Sequence, residues 1–320
     1  TAAAFGELAR SGVDLALVEV GMGGRLDATN ALDPGVAVVT NVQHDHERHL
    51  GNTLAAIGAE KAAIIKAGNL ATTGATGRGL RPILDRCDGL GVPLRRAGPG
   101  QAYRTEVLHA GWDGLRLDVV TPERELRALR VGLLGSHQAA NAAVALALLD
   151  ALCEDGLRRN ASLPLDDEAV RRGFATARWP GRLELLKRTA FGRVLLDGAH
   201  NPAGARALAS ALEELGVRRF PLVLGAMRGK RVTAMLRALA PLEPRPVFTR
   251  IEDPGAMAPA DLLRTWRRLR RGGTHAPTPA DALARAAELR ADANQPLVVA
   301  GSLYLVGAVR GMLTGKEGPA

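Results

Sequence analysis

The 320 residues predict an α/β chain built on parallel sheets, in two domains. Three observations lead there. Short, almost wholly apolar runs at residues 15–20, 36–40, 221–225 and 296–300 have the composition of strands covered by helices on both faces, where neither side can show charge to water. Helical stretches separate these runs at the spacing of right-handed crossovers. From about residue 95 to 134 the pattern changes to alternating polar and apolar segments, the mark of a small antiparallel sheet inserted in the first domain. With 47% hydrophobic residues, a chain of this length can fill one large core or two ordinary ones.

Taken in order, residues 1–12 read as the end of an amphipathic helix closed by Gly12. The first residue is not Met, and the chain is expected to begin inside a βα unit whose earlier part lies upstream. Residues 15–20 form the first expected strand, stopped by Gly21, Gly23 and Gly24; residues 36–40 form the second, ending in Asn41 and the cluster Q-H-D-H-E-R-H at 43–49. A helix follows from an N-cap at Thr53 to Lys66, with Gly68 past its end. The inserted sheet takes residues 103–108, 115–120 and 126–133, with the turn H-A-G-W-D-G between the first two. An apolar helix covers 136–152 and a charged one 166–174. Trp179-Pro180-Gly181 marks a boundary, giving domains 1–177 and 178–320. The second reads strand 194–196, helix 203–215, strand 221–225, helix 232–239, strand 246–249, two further helices and strand 296–300, a doubly wound α/β domain.

Charge narrows the function classes. Basic and acidic residues number 19 and 21 up to Ala177, and 23 and 12 beyond it, so the formal net charge of +9 sits in the second half. Such an excess draws nucleic acid or anionic small molecules. Aromatics make up 3% of the chain, too few to interleave for base stacking, so small anionic substrates or a plain Arg-rich surface are the reading and no nucleic-acid partner is expected. The densest run, Arg264 to Arg271, has the spacing of a solvated helix face. Arg outnumbers Lys 37 to 5, which makes each lysine a candidate for work that needs a primary amine. Cys87 and Cys153 lie far apart without metal spacing, as small buried hydrophobes in a reducing cytoplasm. The longest apolar stretch, 139–152, contains Asn141 and Asp150, so no membrane span is expected, and no secretory signal is visible.

Two places carry chemistry on their own residues. Glu19 breaks the apolar rule of its strand near the carboxyl end, where ligands of open parallel sheets bind, so it is placed to hold a metal or polarise a substrate. The alternative is a buried Glu satisfied by the glycine-rich backbone after it. His46 lies just past the second strand, where adjacent strand ends open on one crevice, and a Glu oxygen and an imidazole nitrogen could converge there on one divalent ion. His44 and His46 also admit an H-x-H zinc site, but no matching downstream set of His and Asp stands out.

The motifs E-V-G-M-G-G-R-L-D-A-T-N, H-D-H, E-K-A-A-I-I-K-A-G, G-S-H-Q-A-A-N, W-P-G-R-L-E, L-D-G-A-H-N-P and G-S-L-Y-L-V-G occur in this order along nearly the whole chain. The sequence thereby resembles the folylpolyglutamate synthase and dihydrofolate synthase family of the Mur ligase superfamily. The resemblance implies a Mur-ligase-like fold: a partial P-loop-type central domain with the small inserted sheet, then a Rossmann-like glutamate-ligase domain. It implies magnesium on Glu19 and His46, and a carbamylated Lys61 that turns a cation into a carboxylate; the alternative for Lys61 is a surface lysine beside Glu60. His137 and Asn141 lie four apart at the opening of the apolar helix, and the family's adenine contact maps onto Asn141. Arg182 would reach ATP phosphates, and Asp197 and His200 would bind ribose and phosphate, with Pro202 starting the next helix; a helix-capping acid is the alternative for Asp197.

The activity implied is ATP-dependent joining of L-glutamate to dihydropteroate or reduced folates through an acyl phosphate, in a cytoplasmic monomer, with the second domain closing on the nucleotide. Two departures stand against the family pattern. Its G-K-[ST] phosphate loop is absent: Gly229-Lys230-Arg231 and Gly315-Lys316-Glu317 lack the hydroxyl that follows Lys. Where the family shows D-K-D, this chain has Gly229-Lys230-Arg231, which keeps Lys230 as the catalytic candidate without its acidic neighbours. A Mur-type peptidoglycan ligase is the nearest alternative, and a non-catalytic nucleotide- or folate-binding fragment is the alternative from another class.

Overall fold

The computed structural model describes residues 1–158, 165–292 and 294–315. They divide into two compact units, one of Thr1–Glu106, Val119–Arg127 and Ala140–Asp167, the other of Val107–Asp118, Ala128–Ala139 and Glu168–Ala320 as far as described.

In the first unit, helix α1 (Ala2–Arg10) buries none of its residues. Residues 15–20, expected as the first strand, are not one: they run without a ladder partner, and Leu15 and Leu17 are 56% and 88% exposed. An apolar run records a segment suited to being covered, but a strand exists only where a neighbour takes up its backbone N–H and C=O groups. β1 (Val36–Val39) ends beside the 43–49 loop, and α2 (Glu47–Leu50) and α3 (Leu54–Ala62) follow. The Thr53 hydroxyl caps α3 by accepting from Ala56 N at 3.1 Å, as the sequence suggests. The helix stops at Ala62, short of the expected Lys66, because Lys66 is drawn elsewhere: its backbone N–H donates to Asn69 Oδ1 and its Nζ to the Asn30 carbonyl at 2.7 Å. β2 (Leu70–Thr73), α4 (Gly77–Leu90) and β3 (Leu94–Arg96) complete a parallel sheet in the order β1-β2-β3. α3 and α4 approach closely at Gly58, where a Cβ would lie 2.6 Å from the Gly79 carbonyl oxygen. Ile57, Ile65, Leu80 and Ile83 form the core beneath.

β4 (Arg104–Gly111), β5 (Gly114–Val120) and β6 (Glu125–Val131) make the separate three-stranded sheet that the alternating pattern predicts, in the order β4-β5-β6. Leu115, Leu117 and Val119 of β5 are buried on one face, as the two-residue period requires. Helices α5 (Gln138–Arg158) and α6 (Asp167–Thr176) follow.

The second unit is organised on a six-stranded sheet. Its elements are β7 (Glu184–Thr189), β8 (Gly192–Leu196), α7 (Pro202–Glu214), β9 (Pro221–Leu224), α8 (Val232–Leu239), β10 (Arg245–Thr249), α9 (Pro259–Arg267), β11 (Thr274–Ala276), α10 (Pro279–Glu288), β12 (Leu297–Ala300) and α11 (Leu303–Thr314). The strand order is β11-β10-β9-β12-β8-β7, parallel except for β7. Alternate strand residues serve opposite faces. Leu195, Leu222, Phe248 and Val298 pack with Leu208, Leu236 and Leu262 of α7, α8 and α9. Val194, Val223, Val247 and Val299 pack with Leu283 and Leu305 of α10 and α11. This is the doubly wound arrangement read from the sequence. The Arg264–Arg271 run departs from a plain solvated helix: α9 ends at Arg267, and Trp266 inside the run is buried in the core. Among the described residues, no helix is long and apolar enough to cross a membrane.

Candidate functional site

The second unit gathers its polar motifs at the carboxyl ends of β8, β9, β10 and β12, where an open parallel sheet binds ligands. Asp197 follows β8 directly and is 9% exposed. It does not cap a helix. One carboxylate oxygen accepts from Leu183 N at 3.0 Å and the other from Ala199 N at 2.9 Å, which ties the W-P-G-R-L turn to the D-G-A-H-N loop. Burial pushes this carboxyl above its ordinary range, against the pull of the two backbone donors and of Arg182 and His200.

Arg182 is brought to the same loop. A Cβ at Gly198 would lie 3.1 Å from Arg182 Nη1 and would also meet the end of Leu303, so the glycine lets the guanidinium lie close across the backbone here. The Gly198 N–H donates to the Gly181 carbonyl at 2.7 Å. His200 Nδ1 donates to the Gly198 carbonyl at 2.9 Å, which fixes the ring by its inner nitrogen. Asn201 caps α7 by accepting from Gly204 N, with Pro202 at the first helical position as the sequence predicts. Glu184 steadies the turn from the other side, accepting from Gly181 N at 2.9 Å and pairing with Arg310 of α11 at 3.0 Å. Sequence reading did not single out Glu184 or Arg310; nothing in their spacing ties residue 184 to residue 310.

Lys230 is half-buried in the turn after β9, with its N–H donating to the Met227 carbonyl at 3.4 Å. Ser302, after β12, is buried and caps α11 by accepting from Tyr304 N at 3.2 Å. Gly301 before it adopts φ +106° and abuts the Gly225 carbonyl, so the loops after β9 and β12 lie backbone to backbone. Lys316 and Glu317 lie outside the described residues.

In the first unit the G-M-G-G-R-L-D-A-T-N segment docks on the last turn of α3. A Cβ at Gly24 would stand 2.6 Å from the Glu60 carbonyl oxygen and 3.3 Å from Lys61 Cα. Arg25 N donates to that same carbonyl at 3.0 Å, and the Arg25 guanidinium pairs with the Glu60 side chain at 2.8 Å. Glu60 is therefore engaged by Arg25, and Lys61 is half-buried against the glycine turn. Asp27, which sequence reading passed over, closes the loop: its carboxylate accepts from Met22 N, Thr29 N and the Thr29 hydroxyl, which holds its pKa below the ordinary carboxylate range.

Glu19 is exposed at the end of the unpaired 15–20 segment. His46 is not on a strand; it precedes α2 with φ +50°, and its Nε2 lies 3.9 Å from Asp45 Oδ1. His44 Nδ1 pairs with Glu47 at 2.9 Å. Among the described residues, no group of three or more His, Cys, Asp or Glu comes together as a metal cage. The Glu19 carboxylate fits the chemistry of magnesium, which keeps several waters and takes one or two carboxylates when phosphate oxygens supply other ligands, whereas the His46 imidazole is a softer donor for it. Asn141 is exposed in the first turn of α5, which begins at Gln138, one residue after His137.

Residues 1–149 match the Mur ligase middle domain and residues 181–303 the Mur ligase glutamate ligase domain. The chain is 31% identical over 307 residues to the dihydrofolate synthase/folylpolyglutamate synthase of Bacillus subtilis, covering 93% of this chain and 67% of that one. It is 36% identical over 344 residues to the Mycobacterium tuberculosis dihydrofolate synthase/folylpolyglutamate synthase, covering 97% and 66%. A crystal structure of M. tuberculosis folylpolyglutamate synthase complexed with ADP and AMPPCP superposes with a TM-score of 0.84 at 33% identity, over 97% of this chain and 70% of that one. The chain spans about two thirds of these relatives, and 36% of a probable bifunctional folylpolyglutamate synthase/dihydropteroate synthase from Haloferax volcanii to which it is 35% identical.

Proposed function

We propose that this chain, which belongs to the dihydrofolate synthase/folylpolyglutamate synthase family of Mur ligases, carries the catalytic groups of an ATP-dependent ligase that adds L-glutamate to dihydropteroate or to reduced folates. A carboxylate of the pteroate or folate attacks the γ-phosphorus of ATP, and ADP leaves. The amine of L-glutamate then adds to the acyl carbon, phosphate leaves with the C–O electron pair, and the amine's proton passes to a base, forming the amide. The observation that carries the reading is the joining of Arg182, Asp197 and His200 at one strand end by the Asp197 carboxylate and the Gly198 backbone.

Each group has a task in this reading. Arg182 offers a forked, permanently charged donor to phosphate oxygens. Asp197 holds the two motif segments in place and presents a carboxylate to ribose hydroxyls. His200, with Nδ1 engaged by Gly198, directs Nε2 toward phosphate. Asn141 binds adenine, and Lys230 is the candidate cation for the departing phosphate. Glu19 and His46 would hold magnesium, whose charge offsets that developing on the transferred phosphoryl group. Lys61 would supply a further anionic group if its amine takes up carbon dioxide.

Labelled L-glutamate incorporation with ATP by the chain extended upstream with a phosphate loop of the family pattern, offered dihydropteroate and tetrahydrofolate separately, tests the reading. Incorporation is expected with at least one acceptor, and Glu19→Gln should reduce it to background while circular dichroism and the unfolding midpoint stay those of the parent. Full turnover by the Glu19→Gln protein would remove the metal assignment, and no incorporation with either acceptor would remove the ligase.

A further inference from the structure

Lys66 belongs to the motif E-K-A-A-I-I-K-A-G, and the reaction groups above leave it unused. Its side chain is half-buried, and its Nζ donates to two main-chain carbonyls, that of Asn30 at 2.7 Å and that of Leu32. Both acceptors lie on the loop that runs from Glu19 to β1.

The surroundings hold the amine in place. Lys66 N donates to Asn69 Oδ1 at 3.0 Å and Asn69 N to the Lys66 carbonyl at 3.2 Å, so residues 66–69 form a turn closed by a buried side chain. Asn69 Nδ2 donates in turn to Asp33 Oδ1 at 2.7 Å, and the same oxygen accepts from Gly35 N at 3.2 Å. An ammonium is a compact donor whose N–H bonds diverge from one atom and reach two separate carbonyls. A guanidinium spreads its donors in a plane that matches the two oxygens of one carboxylate. In a chain with 37 Arg and 5 Lys, the need for such a donor accounts for a lysine at this position.

The consequence runs back along the loop. Asn30 N donates to the Asp27 carbonyl at 3.0 Å, and Asn30 Nδ2 to the Arg25 carbonyl at 3.3 Å. Asp27 Oδ2 accepts from Met22 N at 2.9 Å, three residues after Glu19. The loop that leaves Glu19 and backs onto Lys61 is thus fastened twice, by Arg25 to Glu60 and by Lys66 to the carbonyls of residues 30 and 32. The first fastening is an ion pair whose Arg25 side is 59% exposed, which makes it weak. The Lys66 bonds are charge-assisted and half-buried, so they are the stronger hold.

We propose that Lys66 is a positioning residue of the ligase site: its ammonium sets the loop of residues 22–32, and through that loop the place of Glu19 and of the backbone that lies on Lys61. The inference rests on the ligase reading above, in which Glu19 holds magnesium. Lys66 acts through these groups and is assigned to neither metal nor substrate.

The test uses the chain extended upstream with a phosphate loop. Mn²⁺, whose free ion gives an electron paramagnetic resonance signal, reports the metal position in the presence of AMPPCP, without turnover. Lys66→Ala is expected to weaken Mn²⁺ binding about tenfold, and to lower kcat for labelled glutamate by a similar factor with the KM for L-glutamate unchanged, the effect of losing a group that orients a metal ligand. Amide exchange at Met22 and Asn30 should speed up. Alanine keeps only Cβ, so n-propylammonium replaces the atoms removed and should restore most of the Mn²⁺ affinity, whereas n-propanol should not. Lys66→Met keeps the packed stem without the charge and should show the same loss with the circular dichroism of the parent.

Equal Mn²⁺ affinity in parent, Lys66→Ala and Lys66→Met would overturn the assignment. So would a loss that n-propylammonium and n-propanol restore alike, since the ammonium would then be only a filler of space. The two readings fail separately: incorporation by the parent beside unchanged Mn²⁺ affinity and kcat in both variants strikes Lys66 alone. Mn²⁺ binding that depends on Lys66 without incorporation by the parent strikes the ligase alone.

Discussion

Replacing Asp197 by Ala and by Asn separates two effects that burial sets against each other. Each Asp197 oxygen accepts one backbone N–H, from Leu183 and from Ala199. A hydrogen bond to a charged acceptor contributes about 1.5–3 kcal/mol, and leaving a buried N–H without a partner costs about 1–3 kcal/mol. Asp197→Ala orphans both donors and opens a small gap, so the second unit should lose about 2–4 kcal/mol. Asp197→Asn keeps one acceptor and turns an amide N–H₂ toward the other donor, but it also removes a carboxylate that burial disfavours. The opposing terms should leave it within about 1 kcal/mol of the parent.

Urea unfolding gives the stability ranking, and amide hydrogen exchange at Leu183 and Ala199 reads the bonds themselves. Protection should vanish at both amides in Asp197→Ala and at one in Asp197→Asn. The pH dependence carries a further check. The folded-state carboxyl titrates above its ordinary value, so its contribution is fully present below that ordinary value and is lost as pH rises through the raised one. The parent should therefore gain on Asp197→Asn as the solution is made more acid. Equal midpoints for Ala and parent, with both amides still protected, would refute the bridging role.

Three other outcomes are expected. Gly24→Ala should cost about 1–3 kcal/mol, because its Cβ meets a backbone carbonyl that cannot rotate away, whereas alanine at Gly68, with open space around it, should cost only the strain of its positive φ; paired melting curves compare the two. Asp27 titrates below the ordinary carboxylate range, so its stabilisation is present above that range and lost as pH falls through the lowered value; acid unfolding of Asp27→Asn should show a shallower loss over that window than the parent. Lys61→Arg keeps the charge but removes the primary amine that can form a carbamate. Incorporation should fall and become insensitive to bicarbonate, while a parent equally insensitive to bicarbonate would exclude the modification.

What the residues disclose on their own differs between the two units. The apolar runs at β8, β9, β10 and β12 are strands because helices lie on both faces of their sheet, so composition and environment agree. The equally apolar run at 15–20 misleads, since hydrophobicity reports a tendency to be covered and cannot supply the ladder partner. β2 and α4 leave weak traces for the opposite reason. Thr72 and Thr73 break the apolar run of β2 yet are buried, with the Thr73 hydroxyl bonded to the Val39 carbonyl. α4 contains Gly77, Gly79, Gly89 and Pro82, although its buried stripe of Gly79, Leu80, Ile83 and Cys87 keeps helical spacing. At the site, Arg182, Asp197 and His200 are readable as motif residues, but the bond from Leu183 N to Asp197 spans 14 residues that no local pattern connects.

The position of β12 sets a condition on how the second unit is made. The last strand among the described residues lies between β8 and β9, so β8 shares no ladder with β9 and waits about a hundred residues for its inner neighbour. On the ribosome, β9, β10 and β11 can pair with one another as they emerge, while β8 has only its hairpin with β7. Closure of this sheet is therefore a late, long-range event, the slow kind in chain-entropy terms. A ribosome stalled before Leu297 would display two half-sheets with facing open edges, a natural substrate for chaperones that shield unpaired strands.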